Sequence, residues 1–417
     1  MASFLALRRA RHLCTAAASP LTISQFKKKL KTVSDPDECL KIYTSLTAAF
    51  DPSTSPTSAR YALELTVRRL AKAHRFSDIK NLLESHKSLP QIKDEPFLSS
   101  VIRSYGVAGL LEKAVDTYTG MIRLSAAAPS SLSFNSLLTA CVNCRAFDRV
   151  PAYFDEFPQK LGFQPDQFSF GILIKAYCEM NSPEKATEKL NEMDKLGLGI
   201  STISFTTILH SMYKNGRIDE AEQFWDEMVT KRGCVPDEGS YNVRLSCIHS
   251  GKPEAVTAVV EEMATAGIKP DAITFNYLMT CYCLNGMMDE AMNVYQTMVK
   301  TKGCYPNSMT YRTLVFYLCK KERYVSAYKV FKHSVKFNRI PNLETLKNLL
   351  EGLVKVDRLV EAKSMIRTLN KKFHPELLEA WRKVAEDVGL DGVGVEGVGS
   401  SEEEADDDDG EAVKGSR

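Results

Sequence analysis

Proline followed by Asp or Asn recurs along this chain at a nearly fixed interval. Pro236-Asp237, Pro270-Asp271, Pro306-Asn307 and Pro341-Asn342 lie 34, 36 and 35 residues apart, and Pro165-Asp166 precedes them by two intervals. A repeat of this length restricts the fold to an array of similar units, each contacting its neighbours. Two further markers keep the same period. Small residues recur at Ala186, Ala221, Ala255, Ala291, Ala327 and Ala362, and the series extends back through Val150 to Ala114. An aromatic stands before the next residue in Phe134-Asn135, Phe205-Thr206, Tyr241-Asn242, Phe275-Asn276 and Tyr311-Arg312.

Each unit has the pattern of two helices. In 272–307, Ile273, Phe275, Leu278, Met279 and Tyr282 fall at helical spacing. Asn285-Gly286 breaks the helix, because Gly accepts the left-handed conformation of a helix end. Asp289 and Glu290 favour the start of a second helix, whose apolar stripe is Ala291, Val294, Tyr295 and Met298. Pro306 stops it. No such hairpin buries its stripes alone, so stacking must share them. The expected fold is an all-α solenoid superhelix of about nine hairpins, with units at 60–94, 95–130, 131–166, 167–201, 202–237, 238–271, 272–307, 308–342 and 343–377. Residues 21–59 form a degenerate capping repeat, with 53–58 a loop. Residues 378–390 continue as a helix.

The ends differ from the body. Residues 1–20 contain Arg8, Arg9 and Arg11, and no acid precedes Asp35. That composition is expected of an organellar transit peptide. Residues 391–417 carry ten acids against two bases, an expected disordered acidic tail. The net charge of +2 therefore hides a basic body, which permits a nucleic-acid partner. No apolar run approaches the ~18 residues of a membrane span, so no membrane partner is expected. Eleven cysteines scattered through helical patterns argue against a disulfide framework.

The tetratricopeptide pattern asks for Trp and Leu-Gly early in its first helix, whereas Trp225 falls in a second helix. Ile273-Thr-Phe-Asn-Tyr-Leu-Met279, Asn285-Gly-Met-Met-Asp-Glu-Ala291 and Ile268-Lys-Pro-Asp271 resemble instead the pentatricopeptide repeat (PPR) of the plain 35-residue class. The resemblance covers about 60–377 and is strongest over 167–307. It implies binding of single-stranded RNA, organellar mRNA or rRNA, with one base per repeat. The fifth and last residues of each repeat would face the base, and the second would wedge against its ring. Asn135 with Asp166 would favour uracil, Thr206 with Asp237 guanine, Asn242 with Asp271 uracil, and Asn276 with Asn307 a pyrimidine. Leu132, Ile203 and Ile273 would be the wedges. Gly171 leaves its repeat only Ser201 as a reader, and Gly239 removes a wedge. Arg312 and Lys347 at fifth positions suit phosphate contacts, while Glu64 would repel them.

No cofactor or metal is implied. Cys141 and Cys144 form a CxxC with no second ligand pair, so they read as packing residues. The seven histidines show no metal-binding spacing, and no phosphate-cradling glycine motif has its strand and helix. Relatives that cut or edit RNA carry an added C-terminal module that is not evident here, so no enzyme is expected. The Arg-rich leader favours the mitochondrion, with the chloroplast as alternative. Three functions stay open: a factor for transcript processing, stability or translation, a structural subunit of the mitochondrial ribosome with ribosomal proteins as partners, and a peptide-binding scaffold.

Overall fold

A computed structural model describes residues 23–390 apart from 34, 50–55, 88–89, 122–128 and 302. The expected leader 1–20, the acidic tail 391–417 and part of the expected loop 53–58 lie outside the described residues. Among the described residues there are 21 α-helices and no strand. The fold is an all-α array of stacked helical hairpins. The chain divides into two compact units, Met1–Arg244 and Leu245–Arg417, the division falling inside the helix Glu238–Ile248.

In the first unit the hairpins pair Ile23–Thr32 with Pro36–Ala49, Pro56–Lys72 with Phe76–His86, Glu95–Val107 with Leu111–Thr119, Ser131–Asn143 with Arg149–Leu161, Gln167–Glu179 with Pro183–Lys195, and Thr202–Lys214 with Ile218–Asp226. A five-residue π turn, Glu227–Lys231, prolongs the last of these. In the second unit they pair Ala272–Leu284 with Met288–Lys300, Ser308–Lys320 with Tyr324–Lys336, and Leu343–Lys355 with Leu359–Lys372; Pro253–Thr265 precedes them and Pro375–Asp387 follows. The expected loop ends sooner than the Ser and Pro content suggested. Pro56 already opens a helix, since its fixed φ and missing N–H suit a first helical position.

The turn between paired helices is left-handed in nearly every hairpin. Gly109, Gly216 and Gly286 occupy it, but so do His74, Arg145, Asn181, Glu322 and Asp357, with φ of 56–57°. Helix-end hydrogen bonds fix this conformation, as where the Met287 N–H reaches the Tyr282 carbonyl at 2.9 Å. Glycine is convenient there and not required.

Aromatics bind several of the hairpins to the next. At several junctions a second-helix ring stands between the fourth residues of successive first helices. Phe154 stands 6.1 Å from Phe134 and 5.1 Å from Phe170, and Trp225 stands 5.6 Å from Phe205 and 5.0 Å from Tyr241. In the second unit Tyr295 meets Tyr311 at 6.1 Å. Such pairs add roughly 0.5–1.5 kcal/mol beyond their buried area. Small residues let the paired helices close up: Ala114, Ala186, Ala221, Ala291, Ala327 and Ala362 are fully buried, each the fourth residue of its second helix. Ala255 breaks the series. The helix there starts at Pro253, its fourth residue is the fully buried Val256, and Ala255 is exposed.

The closest approach of first helices is at Gly106. A Cβ there would stand 2.4 Å from Ala140 Cα, a distance the backbone cannot absorb. Gly106→Ala is expected to lower unfolding free energy by about 1–3 kcal/mol through overpacking. Gly171→Ala, whose Cβ meets nothing nearer than Ser204 Oγ at 3.8 Å, should be neutral or stabilise by up to about 1 kcal/mol. Urea unfolding of both proteins checks the contrast, and equal stabilities would show that this helix pair separates freely.

Candidate nucleic-acid interface

The last residue of a repeat is the N-cap of the next repeat's first helix. Asp166 accepts the Ser169 N–H at 2.9 Å, while Ser169 Oγ accepts the Asp166 N–H at 3.2 Å, a reciprocal capping box. Asp271 with Thr274 and Asn307 with Thr310 repeat it. Asp237 accepts from Ser240 N–H at 2.8 Å, and Ser201 from Ser204 N–H at 3.1 Å. These acceptors satisfy helix-end donors that would otherwise lack partners. The residue facing the cap is Ser or Thr at the third position in every repeat from 131 to 377, and all seven are buried.

The fifth residue of the preceding repeat joins the same cluster. Asn135 donates its amide to Asp166 at 3.0 and 3.2 Å and accepts from the Ser169 hydroxyl at 2.6 Å. Asn276 donates to Asn307 at 3.3 Å and accepts from Thr310 at 2.7 Å. The Ser240 hydroxyl donates to Asp237 at 2.8 Å, so Thr206 donates to Ser240, 2.9 Å away. At these three junctions the expected reading positions are thereby held in one hydrogen-bonded cluster, with donor and acceptor roles set by it. Burial alone would raise the Asp166 carboxyl, but the Asn135 amide and Ser169 outweigh it and hold the group below its ordinary range. Asn242 lies in the first unit and is 8% exposed. Asp271 lies in the second and caps Ala272–Leu284.

A different junction joins 95–130 to 131–166, and the sequence pattern did not reveal it. Ser130 is the N-cap, and the carboxylate comes from Glu95, the first residue of the preceding repeat. Glu95 Oε1 accepts from Ser130 N–H at 2.8 Å, Ser130 Oγ at 2.9 Å and Ser133 Oγ at 2.7 Å. Burial would raise this carboxyl, but the hydrogen bonds from Ser133 and Ser130 prevail and lower it.

Beside the locked clusters stand exposed apolar side chains. Leu132, Ile203 and Ile273 are 44%, 78% and 48% exposed. Phe168, Met309 and Tyr61 occupy the same second position and are exposed as well. The repeat register alone would have found these three. Second and fifth residues share one helix face, so the apolar and polar groups are side by side. A hollow of about 590 Å³ around Ile203, Thr206, Lys175, Lys214 and Asp237 lies in the first unit. One of about 400 Å³ around Asn276, Met309, Arg312 and Phe316 lies in the second.

The expected cations differ. Arg312 points into that second hollow and donates to Met309 Sδ at 3.1 Å. Lys347 stands 3.7 Å from Glu351 and 3.8 Å from Asp387 and is already paired. Glu64 pairs with Arg103 at 2.8 Å, which offsets the repulsion expected of it. Burial pushes the Cys141 thiol up to about 12, which keeps it protonated and a poor metal ligand or nucleophile. Among the described residues no helix is long and apolar enough to cross a membrane.

Family models match this chain: the PPR repeat family over 200–249 and 270–316, and the PPR repeat over 161–194, 302–333 and 98–125. A small ribosomal subunit protein of Arabidopsis thaliana, mL103 (rPPR7), is 46% identical over 398 residues, covering 93% of this chain and 95% of that protein. A mitochondrial pentatricopeptide repeat-containing protein of the same plant is 46% identical over 377 residues, 90% of this chain and 88% of its own. Among solved structures, the crystal structure of the pentatricopeptide repeat protein PPR10 from maize matches with a TM-score of 0.51 at 22% identity. It covers 93% of this chain, which spans 56% of that one.

The Glu95 junction has a pH signature. Its folded carboxyl lies below the ordinary value of 4.5, so its contribution is complete above that value and is lost as pH falls through the folded one. Glu95→Ala is expected to cost about 1–3 kcal/mol near neutrality, because the buried Ser133 hydroxyl loses its acceptor. In urea titrations the gap to the unmutated protein should narrow below pH 4.5. A gap unchanged across that range would assign the loss to packing rather than to the carboxylate.

Proposed function

The chain belongs to the PPR repeat family, and from that premise we propose that it is a mitochondrial single-stranded RNA-binding protein working within the small ribosomal subunit. The observation that carries RNA binding is the ladder of exposed second-position side chains beside locked fifth-position groups. Leu132, Phe168 and Ile203 form one stretch of it, and Ile273 with Met309 another. A large apolar side chain left in water in repeat after repeat stabilises nothing in the free protein. Against a base face such contacts contribute about 1–3 kcal/mol each. The edge of each base would meet the polar group three residues on, with Asn135, Thr206, Asn242 and Asn276 discriminating and Arg312 neutralising phosphate.

The ribosomal assignment rests on two supports. One is 46% identity, over nearly its whole length, to a protein named as a small ribosomal subunit component. The other is the interrupted set of readers. Gly171 has no side chain to offer, Gly239 no wedge, and Lys347 is engaged by two acids. Four readable positions at about 1–3 kcal/mol per mismatch discriminate poorly among many transcripts. A ribosomal subunit needs less discrimination, because assembly delivers its RNA. The mitochondrion is supported by the leader composition and by the mitochondrial relative.

Two measurements test this. Replacing Leu132, Ile203 and Ile273 with Ser should weaken binding of a single-stranded oligonucleotide by at least about tenfold per site and leave the melting temperature nearly unchanged. Sucrose-gradient fractionation of mitochondrial lysate should place the protein with the small ribosomal subunit. Migration in light, ribonuclease-sensitive particles would instead favour a transcript-specific factor. Light migration indifferent to ribonuclease would count against RNA altogether.

A further inference from the structure

The earlier second helices mix acids and bases, as Pro183–Lys195 does, but from Ile218 onward they change sign. Ile218–Asp226 carries Asp219, Glu220, Glu222 and Asp226 and no base; Pro253–Thr265 carries Glu254, Glu261 and Glu262 and no base. Met288–Lys300 has two acids and one Lys. Tyr324–Lys336 then carries Lys329, Lys332 and Lys336 and no acid, and Leu359–Lys372 carries Lys363, Arg367, Lys371 and Lys372 against Glu361 alone. Helices in equivalent places thus go from purely acidic to strongly basic, and the change is confined to the last two hairpins.

These cations form a surface. Lys329, Lys332 and Lys336 recur at intervals of three and four, and Lys363, Arg367 and Lys371 at intervals of four, so each set lines one helix face. All six are exposed. The buried faces of the same helices, through Val330, Phe331, Met365, Ile366 and Leu369, belong to one core cluster. Lys332 and Arg367, and likewise Lys336 and Lys371, are one repeat of 35 residues apart, so the two rows run in register. Within a row, charges four residues apart are spaced by about 6 Å. None of the six has an ion-pair partner among the described residues, whereas nearby Lys355 pairs with Glu322 and Arg358 with Glu361. The positive field reaches His333, which burial and the charge of Lys336 push below its ordinary range.

We propose that this paired row, on the second helices and separate from the base-facing positions on the first, is a docking surface for the phosphate backbone of folded, double-stranded RNA. The chemistry selects that partner. Lys and Arg heads without acids suit phosphate, and guanidinium binds it bidentately. The Lys and Arg heads of the rows offer no hydrogen-bond acceptor for a base edge, and the exposed Phe337 beyond the first row lies edge-on against His333. A duplex presents phosphates outward and hides its bases, so contacts of this kind hold it by shape and charge. The surface shares only the polymer with the proposed single-strand function and does not depend on it.

The test is a full-length Lys332→Gln, Lys336→Gln, Arg367→Gln, Lys371→Gln protein, compared with the unmutated chain on a blunt 20-base-pair RNA duplex and on a single-stranded oligonucleotide. The unmutated protein should bind the duplex with a steep salt dependence. The quadruple variant should lose at least about tenfold in duplex affinity at low salt, and its log–log salt slope should fall by about 3–4. Its single-strand affinity and melting temperature should be close to unchanged. No duplex binding by the unmutated protein, or equal duplex binding by the variant, overturns the proposal. Duplex binding that emerges only after removal of 391–417 also overturns it, by assigning the face to the chain's own acidic segment. Lost single-strand binding in the Leu132, Ile203 and Ile273 variant with retained duplex binding would leave this surface standing by itself.

Discussion

Every helix start leaves N–H groups that need acceptors, and at the first helices from Ser131–Asn143 to Ser308–Lys320 a side chain supplies one. That demand fixes Asp166, Asp237, Asp271 and Asn307 at helix N-caps, and the cap geometry determines where their remaining polar atoms point. The fifth residue of the preceding repeat then completes the cluster, as Asn135 and Asn276 do through both ends of their amides. The residues best placed to face a base are thus also those that join one hairpin to the next. Changing a reader changes a joint, so a swap that keeps hydrogen-bonding capacity, such as Asn for Thr, is gentler than one to Ala.

The same coupling holds the polar groups of this face in place. A buried Ser or Thr at the third position ties the reader from below, while the second-position side chain stands free above. Groups already ordered in this way would lower the entropic cost of the proposed RNA binding. The apolar residues remain in water with no partner of their own. In the proposed RNA-binding role, such a division would draw selectivity from the fixed atoms and affinity from the exposed ones.

The hairpin architecture was legible because its causes are periodic. The aromatic at the fourth position and the small residue of the second helix recur because stacked helices meet there each time. Where the chain shifts by a residue, the pattern misleads: Ala255 has the marker's chemistry, but the helix start at Pro253 gives the buried place to Val256. Turn positions misled in the other direction, since Glu322 and Asp357 adopt the conformation that Gly286 announced. The exposed apolar second positions Leu132, Ile203 and Ile273 were legible from register, and Phe168 and Met309 obey the same rule. Glu95 was not legible. Its carboxylate replaces a cap from a different repeat position, and only the folded backbone brings it to Ser130 and Ser133.

Charge follows a different logic from packing. Buried positions repeat because every hairpin solves the same problem, but solvent-facing positions of the second helices carry no such obligation. Their charges are free to drift, and a random drift would leave mixed signs with local ion pairs. Such pairs are present where Arg217 meets Glu184 and where Arg323 meets Asp289 at 2.7 Å. Rows of unpaired cations in register, with no acid in Tyr324–Lys336 at all, run against that expectation. Like charges one turn apart on a helix destabilise it by a few tenths of a kcal/mol per pair. An array that carries this cost twice in register, in its last two paired hairpins, has the unbalanced charge that the proposed phosphate docking would offset.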